Sequence, residues 1–202
     1  GLWRLRHCTF PPLRFNFVKD SVKNTVFARQ DRPKLATHCR SGDDYQQWML
    51  QEYLIYRVQE VLTPHGLMAR LARITYVDTT GREDTVTRYG ILLEDPDAAA
   101  ERLGATRIEE KGIAQDRLEP ASALTLGLFQ FMIGGTDWSV PGLHNIELVR
   151  TDSAQEIAIA YDYDWTGAVD ARYAEPAPSL GIRTVRQRIW RGVCPDTALL
   201  QT

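Results

Sequence analysis

Hydrophobic residues recur along the chain with two periods, one typical of strands and one typical of helices. In residues 13–18, Leu13, Phe15 and Phe17 alternate with polar neighbours, which predicts a half-buried strand with one face in water. Residues 33–39 have a similar extended character and predict a second strand. The start of the chain is therefore expected to be rich in β-structure.

Two hairpins are predicted further along the chain. Each has two short apolar runs on either side of a polar turn segment, and the runs are residues 70–78 with 87–95 and residues 145–150 with 156–162. The first turn contains Gly81, a residue that favours tight connections between antiparallel strands.

Helices are predicted in four segments, which are residues 44–63, 98–104, 121–134 and 183–192. Asp43 and Asp44 open the first segment, where the helix dipole favours acidic side chains, and Pro64 ends it. Gly104 ends the second segment. The third is predicted to be largely buried, and the fourth to be an amphipathic helix that closes the chain.

The order of these elements divides the chain into two predicted lobes. Residues 1–95 form a small β-rich lobe with one long helix, and residues 96–202 form a mainly helical large lobe that carries short β-hairpins. The predicted fold class is α+β.

Composition and charge narrow the class of protein. The 202 residues are 44% hydrophobic and 25% charged, as in globular proteins with a buried core. A net charge of −2 and an isoelectric point near 6.1 argue against nucleic-acid binding, which usually needs a basic face. No apolar run is long enough to span a bilayer, so no membrane span is predicted.

The cysteines leave the cellular compartment open. Cys8, Cys39 and Cys194 show no CxxC spacing, which argues against a zinc ribbon or a redox pair. They are interpreted either as three buried thiols or as one disulfide, Cys8 with Cys39, and one remaining thiol. A disulfide, with an N-terminus that is interpreted as trimmed because it lacks Met, favours an extracytoplasmic protein; three thiols favour the cytoplasm.

Polar residues cluster around the second hairpin. Asp137, Asn145, Asp162 and Asp164 supply carboxylate and amide oxygens, which are the ligands that Mg²⁺ prefers. Asp162 and Asp164 are two positions apart and would point to the same side of an extended segment. The alternative interpretation is that each Asp caps backbone N–H groups in a turn.

Two residues of the first half complete a set that is typical of phosphoryl transfer. Lys34 lies in the predicted strand 33–39, and Glu52 lies mid-helix among apolar residues, where a carboxylate needs a cation. A strand Lys and a helix Glu, followed by a catalytic Asp, an Asn and a metal-binding Asp, are the groups that kinases use. The Lys neutralises nucleotide phosphates, and the catalytic Asp accepts the proton of the attacking hydroxyl.

Several segments carry a family resemblance, and they are LRFNF, KLATHC, QEYLIYRVQEVLT, YGILLED, FQFMIGGTDWS, HNIELV and YDYDWTG. In this order they resemble the atypical kinase-like proteins of the spore-coat CotH group. They are more distantly similar to HipA-like kinases, whose catalytic segment reads Gly-Asn-x-Asp, then His, then Asn, before a strand that ends in Tyr-Asp. The resemblance spans nearly the whole chain.

The resemblance implies a bilobal protein-kinase-like fold and an ATP- and Mg-dependent phosphotransferase. Asp137 would be the catalytic Asp and Asn145 a metal ligand. Asp162 would correspond to the metal-binding Asp of the Asp-Phe-Gly motif in typical kinases, with Asp164 as a second ligand. The acceptor would be a hydroxyl of a protein or of a small molecule.

The resemblance also places the nucleotide between the lobes, beside their connection at Glu94 and Asp95. The chain has no GxGxxG loop, so the phosphates would be covered by sequence that precedes this chain or by Arg4 and Arg6. Asp137 and Asn145 are eight positions apart, more than in the HRDxxxxN loop. Residues 139–143 must therefore loop out if both side chains are to reach one nucleotide.

Two alternative functions use the same residues. A catalytically inactive kinase-like protein would bind a nucleotide, a sugar or a protein without turnover, and it predicts that Lys34 and Glu52 point apart. A metal-dependent phosphohydrolase would use His144 with Asp137, Asn145 and Asp162 around a cation and would need a second metal. A contact between Lys34 and Glu52 would favour the kinase.

Overall fold

The computed structural model of the protein describes residues 7–10, 12–30 and 32–194. This part of the chain is an α+β structure with four α-helices and two antiparallel sheets. The helices are α1 (Lys19–Val22), α2 (Asp43–Leu62), α3 (Pro96–Arg102) and α4 (Pro120–Ile133). The strands are β1 (Leu13–Arg14), β2 (Lys34–Ala36), β3 (Ala69–Tyr76), β4 (Val86–Leu93), β5 (Ala105–Ile108), β6 (Ile146–Thr151) and β7 (Glu156–Ala160). No helix in these residues is long and apolar enough to cross a membrane.

The first sheet has four strands in the order β1-β2-β4-β3. β3 and β4 form the predicted hairpin, with Ala69 opposite Leu93. β2 lies inside the sheet, so that Lys34 pairs with Arg14 on one side and with Leu93 on the other. An interior strand is held by hydrogen bonds along both edges, which gives Lys34 a fixed backbone.

The second sheet has three strands in the order β5-β6-β7. β6 and β7 form the second predicted hairpin, and β7 is buried along its whole length where α4 packs against the sheet. The sequence patterns predicted no strand at β5, but its residues pair with β6 from Ala105↔Thr151 to Ile108↔Leu148. Ile108 reaches the core from this edge strand.

One hydrophobic core joins the two halves of the chain. Ile91 of β4 and Tyr56 of α2 belong to the same buried cluster as Leu126 of α4 and Leu148 of β6. The ring of Tyr56 lies 4.8 Å from that of Tyr163, which follows β7. The division at residue 95 that the sequence predicts falls in the short connection between β4 and α3 and stays a prediction.

The predicted ends of α2, α3 and α4 agree with the structure to within a few residues. α2 begins at Asp43 and ends at Leu62, directly before Thr63 and Pro64. α3 begins two residues earlier than expected, because Asp95 accepts a hydrogen bond from the Asp97 N–H and Pro96 occupies the first turn. Gly134 ends α4 with a φ of 66°, a conformation that favours glycine.

The closing amphipathic helix predicted over residues 183–192 was wrong, because this segment contains turns and no helix. Val185 is buried, and a methyl group on Gly167 would clash with its main-chain carbonyl. The ring of Trp190 packs on Gly127 of α4. The apolar positions of this segment thus meet two different surfaces, which a helical period cannot describe.

The strand predicted over residues 13–18 is also shorter than expected. Only Leu13 and Arg14 pair with β2. The rings of Phe15 and Phe17 then stack on each other at 5.5 Å, and Phe17 packs on Phe27 in the same connection. Beyond Arg14, the alternating apolar residues therefore reflect packing between aromatic rings and not a paired strand.

The disulfide alternative for the cysteines is confirmed. Cys8 and Cys39 are bonded to each other across a sequence separation of 31 residues. The remaining thiol, Cys194, is exposed, so the interpretation as three buried thiols was wrong.

Candidate functional site

The β6–β7 hairpin brings two of the predicted metal ligands together. Asn145 and Asp162 lie just outside the paired ends of β6 and β7, where Ile146 is opposite Ala160. The Tyr161 N–H donates to the Asn145 carbonyl at 3.1 Å. Asn145 and Asp162 thus meet at one end of the second sheet because their strands pair in register.

The segment between Asp137 and Asn145 folds back on itself as a small loop. Ser139 and His144 exchange two backbone hydrogen bonds of 3.0 Å each. Leu143, inside the loop, has a φ of 49°, which sharpens the turn. This loop accounts for the long spacing between Asp137 and Asn145, because the extra residues protrude and leave the two side chains adjacent.

The carboxylate of Asp137 is held by two neighbours. Asn145 Nδ2 donates to the Asp137 carbonyl at 2.7 Å and to Asp137 Oδ2 at 3.1 Å. His144 Nε2 lies 2.8 Å from Asp137 Oδ1. The Asp137 side chain is still 42% exposed, so the carboxylate is both oriented and accessible to a substrate.

Lys34 reaches this end of the second sheet from β2. Its Nζ lies 3.7 Å from Asp162 Oδ2 and 5.5 Å from the centre of the Tyr161 ring. The side chains of Lys34 and Asp162 are 28% and 21% exposed, so both remain open to a ligand. The structure therefore pairs Lys34 with Asp162 at the end of the second sheet where Asn145 contacts Asp137.

Glu52 contacts the backbone of Tyr163 and not Lys34, the partner that was expected. Its side chain is buried, and Oε1 accepts a hydrogen bond from the Tyr163 N–H at 3.2 Å. Among the described residues the ion pair of Lys34 is with Asp162 and not with Glu52. Glu52 therefore supports the backbone that follows Asp162.

Tyr56, one helical turn after Glu52, was not predicted to belong to the site. Its hydroxyl oxygen accepts from the Asp162 N–H at 2.8 Å. Burial raises the pKa of Tyr56 well above its ordinary value, and the charges of Glu52 and Asp162 raise it further. The hydroxyl is consequently a neutral, fixed partner for the backbone of Asp162.

Asp164 does not have the position that strand alternation predicted for it beside Asp162. The chain leaves β7 at Ala160, and Asp162 has a φ of 65°, so residues 162–164 are not extended. The expectation that Asp162 and Asp164 point to one side of a strand was therefore wrong in its geometry. Asp164 is buried and accepts a hydrogen bond from the Tyr173 hydroxyl at 3.0 Å.

Glu94 and Asp95, predicted to contact a nucleotide, are engaged within the protein. Glu94 forms a two-pronged ion pair with Arg102, with distances of 2.9 and 2.8 Å. Asp95 caps α3 and accepts from the Arg32 N–H at 2.8 Å. Their side chains organise the connection between β4 and α3.

The predicted phosphate contacts Arg4 and Arg6 lie outside the residues that the structure describes.

Arg191 is a further residue that the sequence did not assign to the site. Its Nη1 donates to the carbonyls of Thr136 and Trp138, the latter at 3.0 Å, and its guanidinium lies over the Trp138 ring. Burial lowers the pKa of Arg191, and the charge of Asp137 opposes that shift. The sequence pattern predicted only a closing helix around Arg191, and a helical period does not indicate its contacts with Thr136 and Trp138.

Asn145 and Asp162 fit a magnesium ion chemically. Both amide hydrogens of Asn145 are donated to Asp137, which leaves its Oδ1 as the atom suited to a hard cation. A carboxylate and an amide oxygen are sufficient when phosphates and water complete the shell. Within the described ranges, no group of three or more His, Cys, Asp or Glu side chains is arranged to hold a metal.

Comparison of the chain with protein-family models, with curated proteins and with solved structures gave no match.

Proposed function

We propose that the protein is an ATP- and Mg-dependent phosphotransferase of the atypical kinase-like type, with a hydroxyl as the acceptor. One observation carries the proposal: Lys34 of the first sheet is paired with Asp162, at the same end of the second sheet as the hydrogen-bonded pair Asp137 and Asn145. A cation for phosphates, two oxygen ligands for a metal and an oriented carboxylate thus belong to one end of that sheet.

The order of the elements supports a bilobal, kinase-like arrangement. A strand with Lys34, the helix α2 with Glu52 and a hairpin precede a short connection. α4, the Asp137 loop, a second hairpin and Asp162 follow it. This is the order in which kinases carry these groups, with the nucleotide between the first sheet and the β6–β7 hairpin.

In the proposed reaction Asp137 accepts the proton of the acceptor hydroxyl as the hydroxyl oxygen attacks the γ-phosphorus of ATP, while the bond from that phosphorus to the β–γ bridging oxygen breaks and ADP leaves. Asn145 and His144 hold the carboxylate for this step. Lys34 exchanges its contact with Asp162 for the phosphate oxygens of the nucleotide. Asp162 and Asn145 would hold a Mg²⁺ ion, which would supply positive charge against the charge that develops on the transferring group.

A kinase-like protein without turnover is the second candidate, and the placement of Glu52 favours it. Kinase activity needs the strand Lys to be paired with the helix Glu, whereas Glu52 holds the Tyr163 backbone and Lys34 contacts Asp162. Activity would therefore require Lys34 to change partners when the nucleotide binds. A protein that binds nucleotide without this change would not catalyse transfer.

The Cys8–Cys39 disulfide supports an extracytoplasmic location, since structural disulfides persist in oxidising compartments. A cytoplasmic protein would keep both thiols reduced. Mass spectrometry of alkylated protein from its natural source would distinguish the two.

Binding is tested by titration calorimetry of ATP with and without Mg²⁺ on wild type, Asp162→Asn and Lys34→Met. We expect metal-dependent binding by the wild type with a Kd between about 1 μM and 1 mM. Each variant should weaken it by about tenfold or more. Asp152→Asn, in the exposed turn between β6 and β7, is the matched control and should bind as the wild type does.

Turnover is tested with Asp137→Asn. In a catalyst this variant should retain ATP binding and lose transfer or hydrolysis of the γ-phosphate by about 100-fold or more. Nucleotide binding without turnover in either protein would establish the second candidate. Absence of ATP binding by the wild type would overturn the phosphotransferase and leave only an inactive kinase-like protein that binds a sugar or another protein.

A further inference from the structure

Besides Mg²⁺, the proposed reaction gives the nucleotide phosphates one cationic side chain among the described residues, Lys34, since Arg4 and Arg6 lie outside them. A triphosphate carries several negative charges, and kinases usually surround it with a glycine-rich loop as well as a Lys. This chain has no such loop. A second cation beside Lys34 would supply the missing neutralisation.

Arg14 occupies that place on β1. β1 and β2 are antiparallel, and Arg14 is directly opposite Lys34 in the register. Directly opposed residues extend from the same face of a sheet with their Cβ atoms about 5 Å apart. The Arg14 side chain therefore starts beside that of Lys34, on the face that approaches Asp162.

The surroundings of Tyr161 place the Arg14 charge near the same cleft. The Tyr161 hydroxyl lies within electrostatic range of the Arg14 and Arg107 guanidinium groups and of the Glu147 and Asp162 carboxylates. The Lys34 ammonium lies over the Tyr161 ring. Arg14 and Lys34 thus approach Tyr161 together.

Arg14 and Arg107 differ in their partners. Arg107 contacts Glu147 at 2.8 Å and Glu109 at 2.9 Å, so carboxylates already balance its charge. Arg14 is exposed, and its guanidinium forms no ion pair or hydrogen bond with any other described residue. An exposed guanidinium beside a Lys, without a carboxylate of its own, is suited to an anionic ligand.

We propose that Arg14 and Lys34 form a polyphosphate-binding pair, in which Arg14 grips the phosphate chain from β1 and replaces the glycine-rich loop. The proposal rests on the proposed function for its natural ligand, a nucleoside triphosphate. The planar guanidinium can bind two phosphate oxygens at once, whereas Lys34 acts as a point charge. Arg14 is then a binding residue that the family resemblance does not assign.

The test measures binding of ATP, inorganic tripolyphosphate and adenosine, all with Mg²⁺, to wild type, Arg14→Ala and Arg14→Lys. We expect Arg14→Ala to weaken ATP and tripolyphosphate on the order of 10- to 100-fold and to leave adenosine unchanged. Arg14→Lys should recover part of this loss, because it restores the charge without the two-pronged geometry. Arg14→Lys also tests the site if the Ala variant is unstable.

Arg73→Ala is the matched control. Arg73 is exposed on β3, at the opposite edge of the same sheet, on the order of 14 Å away because adjacent strands are about 4.8 Å apart. Arg73→Ala removes the same charge as Arg14→Ala and should leave the binding of ATP and tripolyphosphate unchanged. Equal weakening by Arg73→Ala would show that the effect depends only on net charge, and it would overturn the proposal.

The outcomes separate this inference from the proposed function. If Arg14→Ala binds tripolyphosphate as the wild type does, the role of Arg14 is wrong, whatever ATP does. Arg14-dependent binding of tripolyphosphate by a protein that does not bind ATP would keep the anion pair and reject the kinase-like function. A wild type that binds neither ligand would overturn both.

Discussion

Asn145 and Asp162, the two residues assigned to the metal, both have left-handed backbone conformations, with φ values of 53° and 65°. This conformation costs a non-glycine residue about 1 kcal/mol or more, although Asn and Asp tolerate it best. Hydrogen bonds hold both residues in it: the Asn145 carbonyl accepts from Tyr161, and the Asp162 N–H donates to Tyr56. The backbone strain therefore lies where the chemistry is proposed.

At this scale, Tyr56→Phe is expected to lower the free energy of unfolding by about 1–3 kcal/mol, because it removes the acceptor of the Asp162 N–H inside the protein. Urea unfolding followed by circular dichroism measures the loss. Tyr53→Phe makes the same change on a half-buried residue of the same helix and should stay within about 0.5 kcal/mol of the wild type. Equal losses in the two variants would contradict a specific role for the Tyr56 hydroxyl.

The β3–β4 hairpin depends on the chemistry of its turn. Asp78 accepts hydrogen bonds from the N–H groups of Thr80, Arg82 and Glu83 at 2.9, 2.7 and 3.0 Å. These contacts and the Thr80 hydroxyl lower the pKa of Asp78 from 3.8 to about 2. The ionised carboxylate is thus the form that closes the turn.

The lowered pKa of Asp78 predicts how the stability of the β3–β4 hairpin changes in acid. The native state holds the Asp78 proton less tightly than the unfolded chain does. The contribution of Asp78 is therefore complete above a pH of about 4 and is lost as the pH falls toward 2. Asp78→Asn should be less stable than the wild type at neutral pH, with the difference narrowing over that acid range. Unfolding at several pH values measures it, and a difference independent of pH would refute the assignment.

At the scale of the whole molecule, the larger hydrophobic cluster and one disulfide join segments that are distant in sequence. The core contains residues of both sheets, so the two predicted lobes unfold together if that core is lost. The Cys8–Cys39 bond ties the segment before β1 to the connection between β2 and α2. It therefore constrains the strand that carries Lys34 as well as the N-terminal segment.

At this scale, replacing Cys8 and Cys39 together by Ser should destabilise the protein by about 3–4 kcal/mol, because the open chain gains conformational freedom when unfolded. Thermal unfolding with and without a reductant measures the change. Cys194→Ser, at the exposed free thiol, should leave the melting temperature unchanged. A reductant that has no effect on the wild type would contradict a stabilising disulfide.

Sequence patterns predicted the elements whose signals are local. The acidic start and Pro64 delimit α2, Gly104 and Gly134 follow α3 and α4, and both hairpins surround polar turns. These predictions succeeded because capping, turn formation and alternation depend on residues a few positions apart. The prediction for residues 183–192 was wrong, because the Trp190 ring packs on α4 and the Val185 backbone packs on Gly167, both of which are distant in sequence.

The sequence alone also determined the chemical types at the site, a Lys and a Glu in the first half and Asp137, Asn145 and Asp162 in the second. Only the tertiary structure decided which of them meet. Pairing of β6 with β7 joins Asn145 to Asp162, and the position of β2 brings Lys34 to Asp162 while Glu52 supports Tyr163. Contacts between residues far apart in sequence depend on how sheets and helices pack against one another, and a local pattern does not encode that packing.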